Sequence, residues 1–163
     1  MDQYPSIIQF MAKKLVTFTP DTDIWKAIDI ILKRKISGTP VVNEKHELIG
    51  MLSEVDCLKV LLQGSYDHAK PGSMGTVGDY MTAAVKTIEA DKTVFDAAHI
   101  FVHKGYKRLP VVQDGKLVGQ ISRSDVLRAI QSLGANLRHI PDSWKGREPS
   151  EIKHKTTHYS KNA

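Results

Sequence analysis

The chain contains one cysteine, Cys57, so no disulfide can close within it. Cys57 falls in the apolar pattern Val55, Leu58, Leu61, which predicts a buried thiol and not a reactive one. Aromatic residues make up 7% of the 163, and Trp25 and Trp144 are expected to be packing residues. No apolar run approaches the roughly 20 residues of a membrane span. The N-terminus MDQYPSIIQFMAKK lacks a basic-then-apolar secretory pattern, so a cytoplasmic protein with no membrane partner is expected. Catalytic signatures are missing too: there is no Walker loop, GxSxG elbow, HExxH or paired-cysteine metal spacing. Gly72, Gly75 and Gly78 follow no strand, which argues against a phosphate loop. His99 and His103, like His154 and His158, are four apart without a third ligand, so ordinary surface histidines are expected and no metal site. No nucleophile is paired with a base, and no catalytic residue or enzymatic activity is assigned.

What is present is a globular composition with a basic bias. At 41% hydrophobic and 25% charged residues, the chain suits one domain that buries roughly 70% of its unfolded surface. The net charge is +5, and the segment after Gln131 holds much of the excess: Arg138, Lys145, Arg147, Lys153, Lys155 and Lys161 stand against Asp142, Glu148 and Glu151. These lysines are scattered and accompanied by a single Trp144. They make no stacking or groove-reading surface, and a nucleic-acid partner is not expected.

The dominant feature is a stretch written twice. Residues 39 to 61 read TPVVNEKHELIGMLSEVDCLKVL and residues 109 to 130 read LPVVQDGKLVGQISRSDVLRAI. With Lys45 set aside, the same Pro, Val, Val, Leu, Gly, Ser, Asp and Leu recur in step. Each copy opens with a β-branched run led by proline, Pro40-Val41-Val42 and Pro110-Val111-Val112. A polar turn follows, the second carrying the hairpin dipeptide Asp114-Gly115. Return strands come next, Leu48 to Leu52 and Leu117 to Ile121. Then Ser53-Glu54-Val55-Asp56 and Ser122-Arg123-Ser124-Asp125 place a serine at an N-cap and a carboxylate in the first helical turn.

The unit extends upstream in both copies. Leu15 to Phe18 and Val85 to Ile88 read as short strands. Asp21 and Asp91 prepare helices whose apolar faces, Ile24, Ala27, Ile28, Ile31, Leu32 and Val94, Ala97, Ala98, Phe101, Val102, share one spacing. The expected limits are an N-terminal lead-in 1–9, a first repeat 10–63, a Gly-rich linker 64–78, a second repeat 79–132 and a basic tail 133–163. Leu137, Ile140 and Trp144 are the tail residues able to dock.

The run Asp79-Tyr80-Met81-Thr82 with Val85-Lys86-Thr87, the xPVV strand, the turn with LxG and the closing SxxD together resemble the cystathionine β-synthase (CBS) domain. Two such domains in tandem form a Bateman module. The resemblance covers about residues 10–132 and implies a mixed α/β fold, each repeat a small sheet with two helices, the pair packed about a pseudo-twofold axis with two clefts. It implies a regulatory module that binds an adenosine-containing ligand (AMP, ADP, ATP or S-adenosylmethionine) and signals to a partner protein. The adenine nucleotide would be a regulatory ligand, with or without Mg2+, and no cofactor is required. The other reading is a dimerising adapter with empty clefts.

By the family's pattern, Asp56 and Asp125 would accept from the ribose hydroxyls, and Ser53 and Ser122 would turn helix N-termini toward phosphate. The family's crossed geometry implies one cleft built from Ser53, Asp56, Thr87, Lys107 and Arg108. The other would combine Thr17, Ser37, Gly38, Ser122 and Asp125. Capping alone would account for the serines and aspartates, and solvation alone for Lys107 and Arg108. Two cations before the second PVV strand, against Ser37 and Gly38 before the first, predict that a phosphate prefers the first cleft. The stripes Val55, Leu58, Leu61, Leu62 and Val126, Leu127, Ile130 look too broad for the core of one pair of repeats and predict a homodimer.

Overall fold

The computed structural model describes residues 4–63 and 74–134. Gly72, His154, His158 and the expected docking residues Leu137, Ile140 and Trp144 lie outside the described residues. The chain divides into two compact units, Met1–Ala129 and Ile130–Ala163, and the repeats as far as Ala129 lie in the first. The first repeat comprises α1 (Ile24–Arg34), β1 (Gly38–Val42), β2 (Leu48–Ser53) and α2 (Glu54–Gln63). A four-residue helix α3 (Val77–Tyr80) leads into the second, with β3 (Ile88–Glu89), α4 (Val94–Lys104), β4 (Arg108–Gln113), β5 (Lys116–Ser122) and α5 (Arg123–Gly134). The fold is mixed α/β.

Both hairpins form from the proline-led β-branched runs and their return strands. β1 pairs antiparallel with β2, setting Gly38 opposite Ser53, and β4 pairs with β5, setting Arg108 opposite Ser122. Each ladder slips by one residue at the same place, between Val41 and Val42 and between Val111 and Val112. The second turn is tight because Asp114 and Gly115 both take left-handed dihedrals, φ 53 and 77. The first turn, which holds the extra Lys45, is organised by Asn43, whose Oδ1 accepts from the backbone N–H of Lys45 and of Glu47.

The helices start at Ile24 and Val94, the first residues of the expected apolar faces. Asp23 caps α1 by accepting from Lys26 N at 3.1 Å, and Thr93 caps α4 in a capping box with Asp96. A carboxylate or hydroxyl nearer the first apolar residue wins the cap. The buried faces are narrower than the sequence stripe: Ile24, Ala27 and Ile31 face inward on α1, and Val94, Ala97 and Phe101 on α4. Leu32 and Val102 are 71% and 78% exposed.

The strand expected at Leu15 to Phe18 shrinks to a single parallel bridge, Phe18 to Val41, while its counterpart is the two-residue β3 beside β4. The difference has a covalent cause. Ala90 donates its N–H to Val112 O at 2.9 Å, and the corresponding position in the first repeat is Pro20, which has no N–H to give.

The repeats are joined by exchanged arms. The arm Pro5–Ala12, with a 3-10 turn at Ile7–Gln9, bonds to the second repeat: Ile7 N to Lys92 O, Val94 N to Pro5 O, and Ala12 and Gln120 reciprocally at 2.9 Å. The arm Gly75–Thr82 repeats this on the first repeat: Val77 N to Thr22 O, Ile24 N to Gly75 O, and Thr82 and Met51 reciprocally at 2.9 Å. Burial follows the same exchange. Ile7 belongs to the core around Val94, Phe101 and Leu109, whereas Val77 and Tyr80 belong to the core around Ile24, Val41 and Leu52. At the hairpin tips Leu48 N donates to Gly115 O and Leu117 N to His46 O. Every one of these contacts has a symmetric twin, which makes the arrangement pseudo-twofold.

The glycine of the LxG motif is explained by the arms. A Cβ at Gly50 would stand 2.8 Å from Met81 Sδ and 3.0 Å from Thr82 O, and one at Gly119 would stand 2.6 Å from Met11 Sδ and 2.8 Å from Ala12 O. Only a residue without a side chain lets the other repeat's arm pass this closely.

The second helices correct the sequence stripe. On α2 the buried residues are Asp56 and Val60, while Val55, Leu58, Leu61 and Leu62 are exposed. Cys57 is therefore half-buried, at the edge of the inward face and not within an apolar stripe. On α5, Val126 is buried with Asp125 and Ala129, and Leu127 and Ile130 are exposed.

Candidate functional site

The two SxxD segments fold into matching helix starts. Ser53 donates its backbone N–H and its hydroxyl to Asp56 Oδ2, both at 2.9 Å, and its Oγ accepts from Asp56 N at 3.1 Å. Ser122 does the same toward Asp125 Oδ2 at 2.7 and 2.8 Å. One oxygen of each carboxylate is thus committed to its own helix N-terminus. The other oxygen is held by side chains. Asp56 Oδ1 accepts from Lys59 Nζ at 2.8 Å and from Thr82 Oγ1 at 3.3 Å, and Asp125 Oδ1 pairs with Arg128.

Both aspartates are buried, with side chains 6% and 7% exposed, whereas Lys59 and Arg128 are 44% and 62% exposed. These cations can swing into water, freeing the outer carboxylate oxygen for a hydroxyl donor. Burial by itself raises the Asp56 pKa, but the Lys59 ammonium and the two bonds from Ser53 outweigh it and hold the carboxyl below its usual value. Burial, then the Asp56 and Glu54 charges, push the neighbouring Cys57 thiol up, which opposes thiolate chemistry.

A cavity of about 270 Å3 lies along β2, near the roughly 300 Å3 lower end of small-molecule sites. Its walls include Ile49 and Gly50 from the first repeat and Ala83, Val85 and Thr87 from the second repeat's opening segment. Ala83 follows Thr82, the residue that touches Asp56. The crossing of the arms is thus what brings the second repeat's Thr87 to the first repeat's strand.

The basic pair splits in two directions. Lys107 is exposed, and its carbonyl accepts from Arg123 N. Arg108 reaches across to the first repeat and donates Nη2 to Ser37 Oγ at 2.6 Å. Ser37 O in turn accepts from Glu54 N at 3.0 Å, the first residue of α2. Arg108 is therefore carried toward the helix start that holds Ser53 and Asp56. The hydrogen bond also joins Arg108 to Ser37, residues that the sequence assigns to different clefts. Gly38 lies opposite Ser53 in the ladder, and Thr17 is half-buried just before the Phe18 bridge.

Three participants escaped the sequence reading. Lys59 and Arg128 stand three residues after each aspartate, a matched basic position that the repeat alignment displays. Thr82 is different, because only the crossed arm shows that it meets Asp56. Among the described residues no three His, Cys, Asp or Glu side chains gather as a metal site. His99 and His103 stack with centroids 4.1 Å apart, and His103 Nδ1 lies 2.8 Å from His99 O.

A family model described as the CBS domain matches residues 7–63 and 77–132. The uncharacterized protein MJ1426 of Methanocaldococcus jannaschii is 30% identical over 76% of this chain and 90% of its own length. CBSX1, a chloroplastic CBS domain-containing protein of Arabidopsis thaliana, is 34% identical over 74% of this chain and 62% of its own. The uncharacterized protein MJ1225 of Methanocaldococcus jannaschii is 31% identical, and this chain spans 42% of its length. Among solved structures, CBSX2 in complex with AMP superposes with a TM-score of 0.68 at 28% identity, covering 80% of this chain and 98% of that one. The CBS domain pair of protein MJ0100, in complex with 5′-methylthioadenosine and S-adenosyl-L-methionine, gives 0.62 at 25% identity over 77% and 98%. No described helix is long and apolar enough to cross a membrane.

Proposed function

The chain belongs to the CBS-domain family as a tandem pair, and from that premise we propose that it is a cytoplasmic regulatory module that binds an adenosine-containing ligand in its clefts and signals the occupancy to a partner protein. The observation that carries this reading is the crossed arm: it sets Thr82 on Asp56, and the segment that follows it lines a cavity along β2 with Ala83, Val85 and Thr87. AMP in CBSX2 and S-adenosyl-L-methionine in the MJ0100 pair support the ligand class. Asp56 and Asp125 receive the ribose hydroxyls on their outer oxygens, and the helix starts at Ser53 and Ser122 face the phosphate. The first cleft comprises Ser53, Asp56, Thr87, Lys107 and Arg108, the second Thr17, Ser37, Gly38, Ser122 and Asp125. A phosphate-bearing ligand prefers the first, because Arg108 already stands beside the α2 start.

Thermal shift of the purified chain with AMP, ADP, ATP and S-adenosylmethionine, with and without Mg2+, tests this. A ligand at 100 times its Kd adds about 2.7 kcal/mol, and Asp56→Asn should abolish the tighter site while Asp125→Asn spares it. Equal losses from both variants would reject the asymmetry, and no shift with any ligand would reject the sensor.

A second reading, a dimerising adapter with empty clefts, draws on Val55, Leu58, Leu61 and Leu62 of α2, which are 67%, 61%, 80% and 85% exposed. Both readings include a homodimer through this face. Sedimentation as a monomer at micromolar concentration would exclude it.

A further inference from the structure

The connection between α4 and β4 carries a clamp that the first repeat lacks. Arg123 donates Nε to Tyr106 O at 2.7 Å, Nη2 to Gly105 O at 2.9 Å and its backbone N–H to Lys107 O at 3.3 Å. Three successive carbonyls are thereby held by one residue. The loop needs such help, since Gly105 is the left-handed C-cap of α4 at φ 70 and Gly105, Tyr106 and Lys107 are all exposed. Glu54 occupies the corresponding place in the first repeat. A carboxylate has nothing to donate, so only the backbone bond from Glu54 N to Ser37 O remains there. The residue leaving the clamped loop is Arg108, whose guanidinium reaches Ser37 Oγ.

We infer that Arg123 is a positioning residue for the phosphate of the first cleft: it fixes Gly105 to Lys107 so that Arg108 is already aimed before ligand arrives. The inference rests on the adenosine-ligand reading above. Its physical basis is preorganisation, because ordering done in the free protein does not have to be done on binding. Arg123 itself is spent on carbonyls and is not offered to an anion. A planar fork suits two neighbouring carbonyl acceptors, which a lysine ammonium cannot reproduce.

A double-mutant cycle on the full chain, read by calorimetry with ADP and with adenosine, tests the assignment. Arg123→Ala and Arg123→Lys should each raise the Kd for ADP about tenfold, the worth of one charge-assisted bond, while the Kd for adenosine changes less than twofold. In the Arg108→Ala background, Arg123→Ala should add no further loss, because the clamp acts through Arg108. Amide exchange over residues 105–108 should quicken in both Arg123 variants. Wild-type ADP affinity in Arg123→Lys, an unchanged ratio of ADP to adenosine affinity, or losses that add in the double variant would each overturn the role. Where Arg123→Ala does not fold, Arg123→Lys carries the test. A wild-type chain that binds neither ADP nor adenosine would sink the ligand reading itself, and is told apart by its flat isotherm before any variant is made.

Discussion

Replacing Gly50 with alanine separates the exchanged-arm architecture from two repeats that merely sit side by side. Gly50 is in the interior of β2 with no left-handed φ. In an ordinary strand, alanine there would gain roughly 0.5–1 kcal/mol over glycine by restricting the unfolded chain. Here the new Cβ stands 2.8 Å from Met81 Sδ and 3.0 Å from Thr82 O. The thioether can turn aside, but the carbonyl is fixed by the reciprocal Met51–Thr82 bonds, both 2.9 Å. The chain either bears the overpacking, about 1–3 kcal/mol, or releases the arm and loses two bonds of about 1 kcal/mol each. Both routes destabilise, and Tm should fall by roughly 3–10 °C, read by circular dichroism in heat and in urea. Gly119→Ala should cost more, because Met11 Sδ at 2.6 Å and Ala12 O at 2.8 Å are closer. Adding Met81→Ala to Gly50→Ala should recover the side-chain part only. A Gly50→Ala protein as stable as the parent, or more so, would refute the crossing of the arms.

The helix ends give a second prediction of opposite sign. Lys35 caps α1 with φ 52 where Gly105 caps α4 with φ 70, so Lys35→Gly should stabilise by about 1 kcal/mol and Gly105→Ala should destabilise by a similar amount. Unfolding midpoints that move the same way in both would contradict this. In acid, the bond from the Thr93 backbone outweighs burial and holds the Asp96 carboxyl below the usual carboxylate range, and Asp56 is also held low. A depressed folded pKa contributes stability above the ordinary carboxylate value that is lost as pH falls through the folded one. The urea midpoint should accordingly be flat from about pH 7 to 5 and fall below about pH 4. Asp96→Asn should differ from the parent at pH 6 by a gap that narrows as the pH falls below about 4, and a constant gap would be the wrong outcome.

The local plan of each repeat was legible because it is written in short-range chemistry. Pro40-Val41-Val42, Asp114-Gly115 and the SxxD steps specify a strand, a turn and a capped helix within a few residues of themselves, and the duplication showed that none was accidental. The same rule picks the caps: Asp23 and Thr93 cap the helices that Asp21 and Asp91 precede, since a cap depends on which oxygen reaches the first free N–H groups. The lost strand before Pro20 was readable in principle, but only beside the second repeat does the missing N–H acquire a consequence.

The site divides along the same line. Ser53 with Asp56 and Ser122 with Asp125 are sequence neighbours, and their pairing follows from helix geometry alone. Thr82 on Asp56, Arg108 on Ser37 and the cavity between Ile49 and Val85 join residues from different repeats. No periodicity within a repeat encodes them. They exist because each arm is buried in the other repeat's core, Ile7 in one and Val77 in the other. A hydrophobic pattern records that a side chain leaves water but carries no label for the repeat that receives it, so the sequence determined the two hairpins and their capped helices, and the tertiary structure alone decided that they would be laced together.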